Sequence, residues 1–432
     1  MSFKFYYTLR DRLVGQKHVR VGGYRDRVDR DVRMAREAEP ESSRPPRGSG
    51  VPSTAAQRLC WFGETSGHMA IERLETFTKP EASVVRVTTT DGNQGIGQMS
   101  PYNADISAEV FHRQIAPYAL GADPDDLEAL VDHIVIENLK FPGSYVRRAL
   151  CGLDTAIWDL RGRRQGAPVC ELIGGEPRPL DVYGSSMRRD IEPADEAERL
   201  AALREQGYDA FKIRVGAGDS KGEDEDAWPG RSEELVPAVR EAVGEETTLF
   251  VDANSAYSPA GALELDRETL APNDVAHFEE PCPYWELDWT AEVRENAETT
   301  VAGGEQDCFI KQWERIVERP VVDIVQPDVC YMGGLTRTLR VAEMAAEHGL
   351  LCRPHSANHS MVLAFTLHLL AAIDNAAPYV EYSIEEHWAE GMLNPELTVA
   401  DGAVAVPDDP GWGVTVDEGW LATADHDESV AD

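Results

Sequence analysis

Between Phe211 and Glu381, one ionisable side chain after another falls at the end of a short apolar run. FKIR carries Lys212 and Arg214, LFVDAN carries Asp252, HFEEP carries Glu279 and VAGGE carries Glu305; DIVQPD, LCRPHS and YVEY then carry Asp328, His355 and Glu381. From Asp252 onward the steps are 27, 26, 23, 27 and 26 residues, each the length of one strand with one helix. A chain with 77 Asp+Glu puts carboxylates near many strand ends by chance. Chance does not explain the repeated phase, nor a lysine and a histidine within it. Asp252, Glu279 and Glu305 lie on three successive units. Three hard carboxylate oxygens, with water and substrate oxygens completing an octahedron, suit Mg²⁺, whereas zinc would want His or Cys. Lys212 and Arg214 are two residues apart, so on a strand both point to one face. A guanidinium with a pKa above about 12 is a poor base and a good bidentate anion clamp.

The elements that must position these groups follow from the same pattern. Apolar runs of four to six residues separated by helical stretches read as parallel strands joined by crossover helices. Eight such units close into a barrel, and the loops converge only at the C-terminal ends of the strands. The 432 residues exceed a barrel of roughly 200 to 250 residues and leave room for a second domain. The 42% hydrophobic content supports a real core and argues against global disorder.

The net charge of −36 argues against nucleic acid or an anionic membrane as a partner. Its spread through helices rather than a tail resembles the surfaces of halophilic proteins from salt-rich cytoplasm. On that reading molar salt screens the self-repulsion and raises the melting temperature, while dilute buffer lowers it; a melting temperature indifferent to salt would remove the idea. Seven cysteines, odd in number and without a Cys-x-x-Cys pair, imply neither a disulfide framework nor a zinc site. With no signal peptide and no apolar run of about 18 residues, a soluble cytoplasmic protein is expected.

Four regions are expected along the chain. Residues 1–68 carry 13 Lys+Arg against 8 Asp+Glu, so the remainder carries −41. They lack periodicity, contain the turn-rich ESSRPPRGSGVPS, and read as a disordered or misassigned extension with Met69 as the natural start. Residues 69–185 read as an α+β domain, with IERLETF and SVVRVTTT as strands and DGNQG marking a hairpin. Residues 186–385 form the barrel, and residues 386–432 a closing segment.

The segment RRALCGLDTAIWDLRGRRQGAPVCELIGG places Ala149, Leu153, Ala156, Ile157 and Leu160 on one helical face and breaks at Gly166, Gly174 and Gly175. Through Ala149, Asp154, Trp158, Asp159, Pro168, Val169, Leu172, Gly174 and Gly175 it resembles the signature of the enolase superfamily. The resemblance covers about residues 69 to 421 and extends to NPELTVADGAVAVPDDPGWGV, which is similar to the segment that returns to the capping domain. Trp412 stands there where Leu is usual. The resemblance implies an α/β fold: a modified TIM (β/α)7β barrel with an α+β N-terminal capping domain completed by the C-terminal segment. It also implies a homo-oligomer.

For the site, the resemblance implies metal ligands at the Asp of VDAN, the first Glu of EEP and the Glu of GGE. These are Asp252, Glu279 and Glu305, with Glu280 supporting and Asn254 assisting. QPD and RPHS resemble the His-Asp dyad of mandelate-racemase-like members, in which Asp328 would fix the tautomer of His355 and raise its pKa so that the ring takes and returns a proton. His359 is read as structural. Glu381 matches an acid that hydrogen-bonds the substrate carboxylate or the enediolate, for which it must be protonated. Lys-x-Arg departs from the common Lys-x-Lys, whose second Lys is the opposite-face base of racemising members. This departure favours a one-base dehydratase acting on a sugar acid, an aldonate such as xylonate, gluconate or galactonate, to give a 2-keto-3-deoxy acid. A racemase, epimerase or cycloisomerase, or a non-catalytic metal-binding regulator, stays open. The acidic inserted loop 216–234 reads equally as a wall of the pocket, through Trp228 and Arg231, or as a purely solvated loop, and the cap loop around Tyr102 is the other specificity candidate.

Overall fold

The computed structural model describes residues 69–431 except 219, 220, 357 and 387; the reading of residues 1–68 lies outside them. Three strands open the described chain: β1 (Ile71–Thr78), β2 (Ser83–Thr89) and β3 (Gln94–Gln98). They pair antiparallel in sequence order. Asp91 shapes the second turn by accepting from Thr89 Oγ1 at 2.6 Å and from Asn93 N at 3.2 Å, the side-chain-to-backbone bonding that makes Asp a turn former. The helix Ser144–Gln165 lies across β3. Its approach is so close that a Cβ on Gly95 would stand 2.1 Å from the Ala156 carbonyl oxygen. The face expected to be apolar, Ala149, Leu153, Ala156, Ile157 and Leu160, is buried throughout.

The barrel begins one strand earlier than the sequence boundary at residue 185. β4 (Pro179–Ser185), placed with the cap in the sequence reading, pairs in parallel with β5 (Ala210–Arg214). β6 (Thr248–Asp252), β7 (Val275–Glu279), β8 (Val301–Gly303), β9 (Ile324–Val325) and β10 (Leu351–Cys352) follow in order, all parallel. β11 (Val380–Ser383) pairs with β4, and the approach to it bridges Cys352 at Ala376, which curls the sheet toward closure. A helix lies in each of the seven crossovers, from Pro193–Arg204 to Met361–Leu370. The modified (β/α)7β barrel is therefore present. β5 is buried at every residue, as a parallel strand covered on both faces must be.

The end of the chain returns to the cap. β12 (Leu393–Asn394) pairs with β14 (Thr415–Val416), and β13 (Ala403–Ala405) adds antiparallel to β4. β15 (Asp425–Val430) completes the cap sheet beside β1. Asp159 fastens this return: Oδ1 accepts from Trp412 N at 3.0 Å, while Oδ2 accepts from Ile96 N at 2.9 Å and Arg163 Nε at 2.7 Å. Trp412 is fully buried and donates through Nε1 to the Thr155 carbonyl at 2.9 Å. The indole in place of Leu thus adds a hydrogen bond to the packing, as a buried Trp usually does. The six described cysteines are all free and buried. Among the described residues no helix is long and apolar enough to cross a membrane.

Candidate active site

Strand register brings the expected residues together. Arg214 on β5 stands opposite Asp252 on β6, and Asp252 stands opposite Glu279 on β7. Lys212 is fully buried, with Nζ 2.6 Å from Glu279 Oε1, 2.8 Å from Glu381 Oε1 and 3.6 Å from Asp252 Oδ2. Burial alone would lower its pKa, but Glu279 and Glu381 reverse that and keep the amine charged. Arg214 Nη1 contacts Asp252 Oδ2 and also donates to Asn254 Oδ1 at 2.9 Å. Gln326 Nε2 donates to the second oxygen of Glu279 at 2.7 Å.

The expected His355–Asp328 pair is built by a helix cap. Asp328 precedes the short helix Val329–Met332, and its Oδ1 accepts from Cys330 N at 2.7 Å and Tyr331 N at 2.9 Å. That orientation leaves Oδ2 facing His355 Nδ1 at 2.8 Å. Whenever the ring is neutral, that bond keeps its proton on Nδ1 and leaves the Nε2 lone pair to the site. Nε2 lies 3.5 Å from Glu305 Oε2, too long for a good hydrogen bond. Burial pulls the His355 pKa down, but Glu305, Asp328 and Glu381 together raise it well above the ordinary value.

Lys212 and Arg214 supply cations among the acids, and no three of the described His, Cys, Asp or Glu side chains form a ready-made metal cluster. The donor chemistry nevertheless fits a hard divalent ion. Asp252, Glu279 and Glu305 all offer carboxylate oxygen, and beside them Glu280 is buried with Oε1 lacking any hydrogen-bond partner. Burial, Glu305 and Glu279 push the Glu280 pKa well up. A site of crowded carboxylates with an orphaned oxygen takes oxygen-seeking cations.

Two family models match the chain: the mandelate racemase / muconate lactonizing enzyme N-terminal domain over residues 67–174, and the enolase C-terminal domain-like family over residues 194–420. The chain belongs to the mandelate racemase / muconate lactonizing enzyme family. Arabinonate dehydratase of Saccharolobus solfataricus is 30% identical over 371 residues, covering 84% of this chain and 95% of its own. Other relatives are named as D-gluconate and D-galactonate dehydratases or as cycloisomerases. A solved structure from Roseobacter denitrificans, described provisionally as a racemase, is 50% identical with a TM-score of 0.82 and covers 84% of this chain and 100% of its own. A mandelate racemase/muconate lactonizing protein from Paracoccus denitrificans, complexed with magnesium, is 29% identical with a TM-score of 0.76, covering 84% and 99%.

Within this family member, two sequence expectations are overturned. Glu381, expected to donate from a protonated carboxyl, accepts at both oxygens. Its Oε1 accepts from Ser185 Oγ at 2.8 Å as well as from Lys212, and Oε2 accepts from Ser356 N at 3.0 Å. Burial would raise its pKa, but the Lys212 and His355 charges outweigh burial and hold it at about 2. Arg231 does not line the pocket either. It is fully buried, donates to the Arg214 carbonyl at 2.9 Å and the Arg188 carbonyl at 3.3 Å, and stacks on Trp228, so it staples the loop from behind.

Sequence reasoning missed Arg189, on the loop after β4. It reaches Asn254 Oδ1 at 2.9 Å, the atom that also receives Arg214. Nothing local marks Arg189, because its role arises only where three strand ends converge. His359, read as structural, donates through Nε2 to the Ser383 carbonyl at 2.8 Å and stacks on Tyr382.

Proposed function

We propose that this protein is a magnesium-dependent hydro-lyase that dehydrates a sugar acid to a 2-keto-3-deoxy acid. The reading rests chiefly on the His355–Asp328 pair, a single oriented base whose Nε2 faces the carboxylate cluster. The names of relatives such as arabinonate dehydratase support the reaction class, and the magnesium complex of the Paracoccus relative supports the cofactor. Asp252, Glu279 and Glu305 would hold the ion, which supplies positive charge where the substrate carboxylate becomes an enediolate.

In this scheme His355 Nε2 takes the α-proton while Asp328 keeps the ring in the productive tautomer. The C–H electron pair passes into an enediolate whose charge lies near the Lys212 ammonium. That pair then forms the C2–C3 double bond as the C3–O bond breaks. The imidazolium returns its proton to the departing hydroxyl, so water leaves and the enol tautomerises to the 2-keto product. Arg214 and Arg189, both donating to Asn254 Oδ1, are cations and offer no neutral base.

A second reading, racemase or epimerase, is favoured by the description of the 50% identical Roseobacter structure. A screen of sugar acids with Mg²⁺, followed for 2-keto product and for α-deuterium uptake, separates the two. Keto acid formation is expected. Deuterium exchange with inversion and without loss of water would replace the dehydratase reading by the epimerase one.

A further inference from the structure

A cavity of about 260 Å³ opens in the cap, lined by Tyr102, Asn103, Ser144, Tyr145 and Arg148. One aromatic ring relates it to the proton-transfer residue. Arg148 Cζ lies 3.6 Å over the Tyr331 ring, and the centre of that ring is 6.1 Å from the centre of the His355 imidazole. Tyr331 thus neighbours both Arg148, which lines the cap cavity, and His355. The Arg148 guanidinium carbon therefore lies within about 10 Å of the imidazole centre, a span that an extended six-carbon acid, with end carbons roughly 6 Å apart at C–C bonds of about 1.5 Å and a carboxylate at each end, can bridge.

The charge state of the cavity is unusual for this chain. With 77 acidic residues against 41 basic ones, a cation has carboxylates in abundance. Yet the guanidinium of Arg148 is met, among the described residues, only by Ser100 Oγ at 2.6 Å and by the Tyr331 ring. Its neighbour Arg147, by contrast, donates to the Pro142 and Gly143 carbonyls. A guanidinium carries five N–H donors in a fixed fork, so Arg148 holds donors in reserve, its plane already set by the stack and the serine. No acid shares the lining, and Asn103 Nδ2 donates to Tyr145 Oη at 3.0 Å. The loop is also held in costly backbone: Tyr102 and Asn103 have φ of 66° and 51°. A bulky residue rarely adopts that region, and such conformations concentrate where a ligand is clamped.

We propose that this cavity receives the end of the substrate remote from Asp252, Glu279 and Glu305, and that Arg148 binds a second carboxylate there. Preferred substrates are then sugar diacids, with carboxylates at both ends, rather than aldonates ending in a neutral hydroxymethyl group. The inference rests on the sugar-acid reading and narrows its substrate class. A bidentate arginine–carboxylate pair supplies both the affinity and the orientation of the chain.

The test compares kcat/KM for an aldarate, the matching aldonate and its terminal phosphate ester, in wild type and in Arg148→Met and Arg148→Lys. Wild type is expected to favour the aldarate. Arg148→Met should lower that preference on the order of 10- to 100-fold, the scale of one charge-assisted hydrogen-bonded pair, with Arg148→Lys retaining part of it. A merely structural role would reduce all substrates by one factor and leave the preference unchanged, overturning the proposal, as would a wild-type preference for the aldonate or for the phosphate ester. Calorimetric binding to His355→Asn with Mg²⁺ present keeps the two readings separable. Arg148-dependent aldarate binding without turnover in wild type would reject the dehydratase and keep the subsite; turnover with no Arg148-dependent preference would do the reverse.

Discussion

His355→Asn is expected to eliminate dehydration and, with it, the exchange of the substrate α-proton for solvent deuterium. The imidazole is the one side chain of the cluster that combines an oriented lone pair with a carboxylate partner, through Nδ1 and Asp328 Oδ2 at 2.8 Å. Lys212 Nζ is engaged by Glu279 and Glu381, and Arg214 is a guanidinium, so neither offers a ready neutral base. Asparagine keeps an amide near Asp328 but cannot accept the proton. The loss in kcat should be on the order of 10² to 10⁴-fold, the contribution of a positioned acid–base group. Asp328→Asn should leave binding largely in place and lower turnover, because the ring loses its tautomeric anchor. α-Deuterium exchange persisting in His355→Asn would put the abstracting base on the Lys212 and Arg214 side and move the epimerase reading ahead.

Glu305→Gln is expected to remove most of the stabilisation that Mg²⁺ confers on the fold, together with activity. A ligand that binds only the native state stabilises it by about 2.7 kcal/mol at a concentration 100 times its Kd, so the wild-type melting temperature should climb as Mg²⁺ is titrated. Glu305 stands next to the orphaned Glu280 carboxyl and 3.5 Å from His355 Nε2. The amide preserves its shape while removing one charge from the set that attracts the ion. The metal-free variant should fold normally, since relieving the repulsion with Glu280 offsets the weakened contact to His355. Magnesium-dependent melting equal to wild type would strike Glu305 from the ligand set and leave the His355–Asp328 pair standing.

The sequence by itself determined the parts of this protein that depend on local period and local type. Strand-end phase located Lys212, Arg214, Asp252, Glu279, Glu305, Asp328, His355 and Glu381, because a buried parallel strand is a short apolar run and its exit is a fixed step beyond it. Parallel register then brings Arg214, Asp252 and Glu279 side by side without further information. The helical face of Ser144–Gln165 was legible for the same reason, through its 3.6-residue period.

Only the tertiary structure decided what each charge experiences. The ionised state of Glu381 comes from Lys212, Ser185 and the Ser356 amide, supplied by three other segments. Arg231 became a buried staple because the carbonyls of Arg188 and Arg214 converge on it. β4 belongs to the barrel because β5 and β11 flank it, which its own residues do not announce. Arg148 comes to lie over the ring of Tyr331, itself a neighbour of His355, only because the cap helix packs on the barrel there. Ionisation and partnership are set by the dielectric and the charges within a few ångströms, and those neighbours are far apart in the chain.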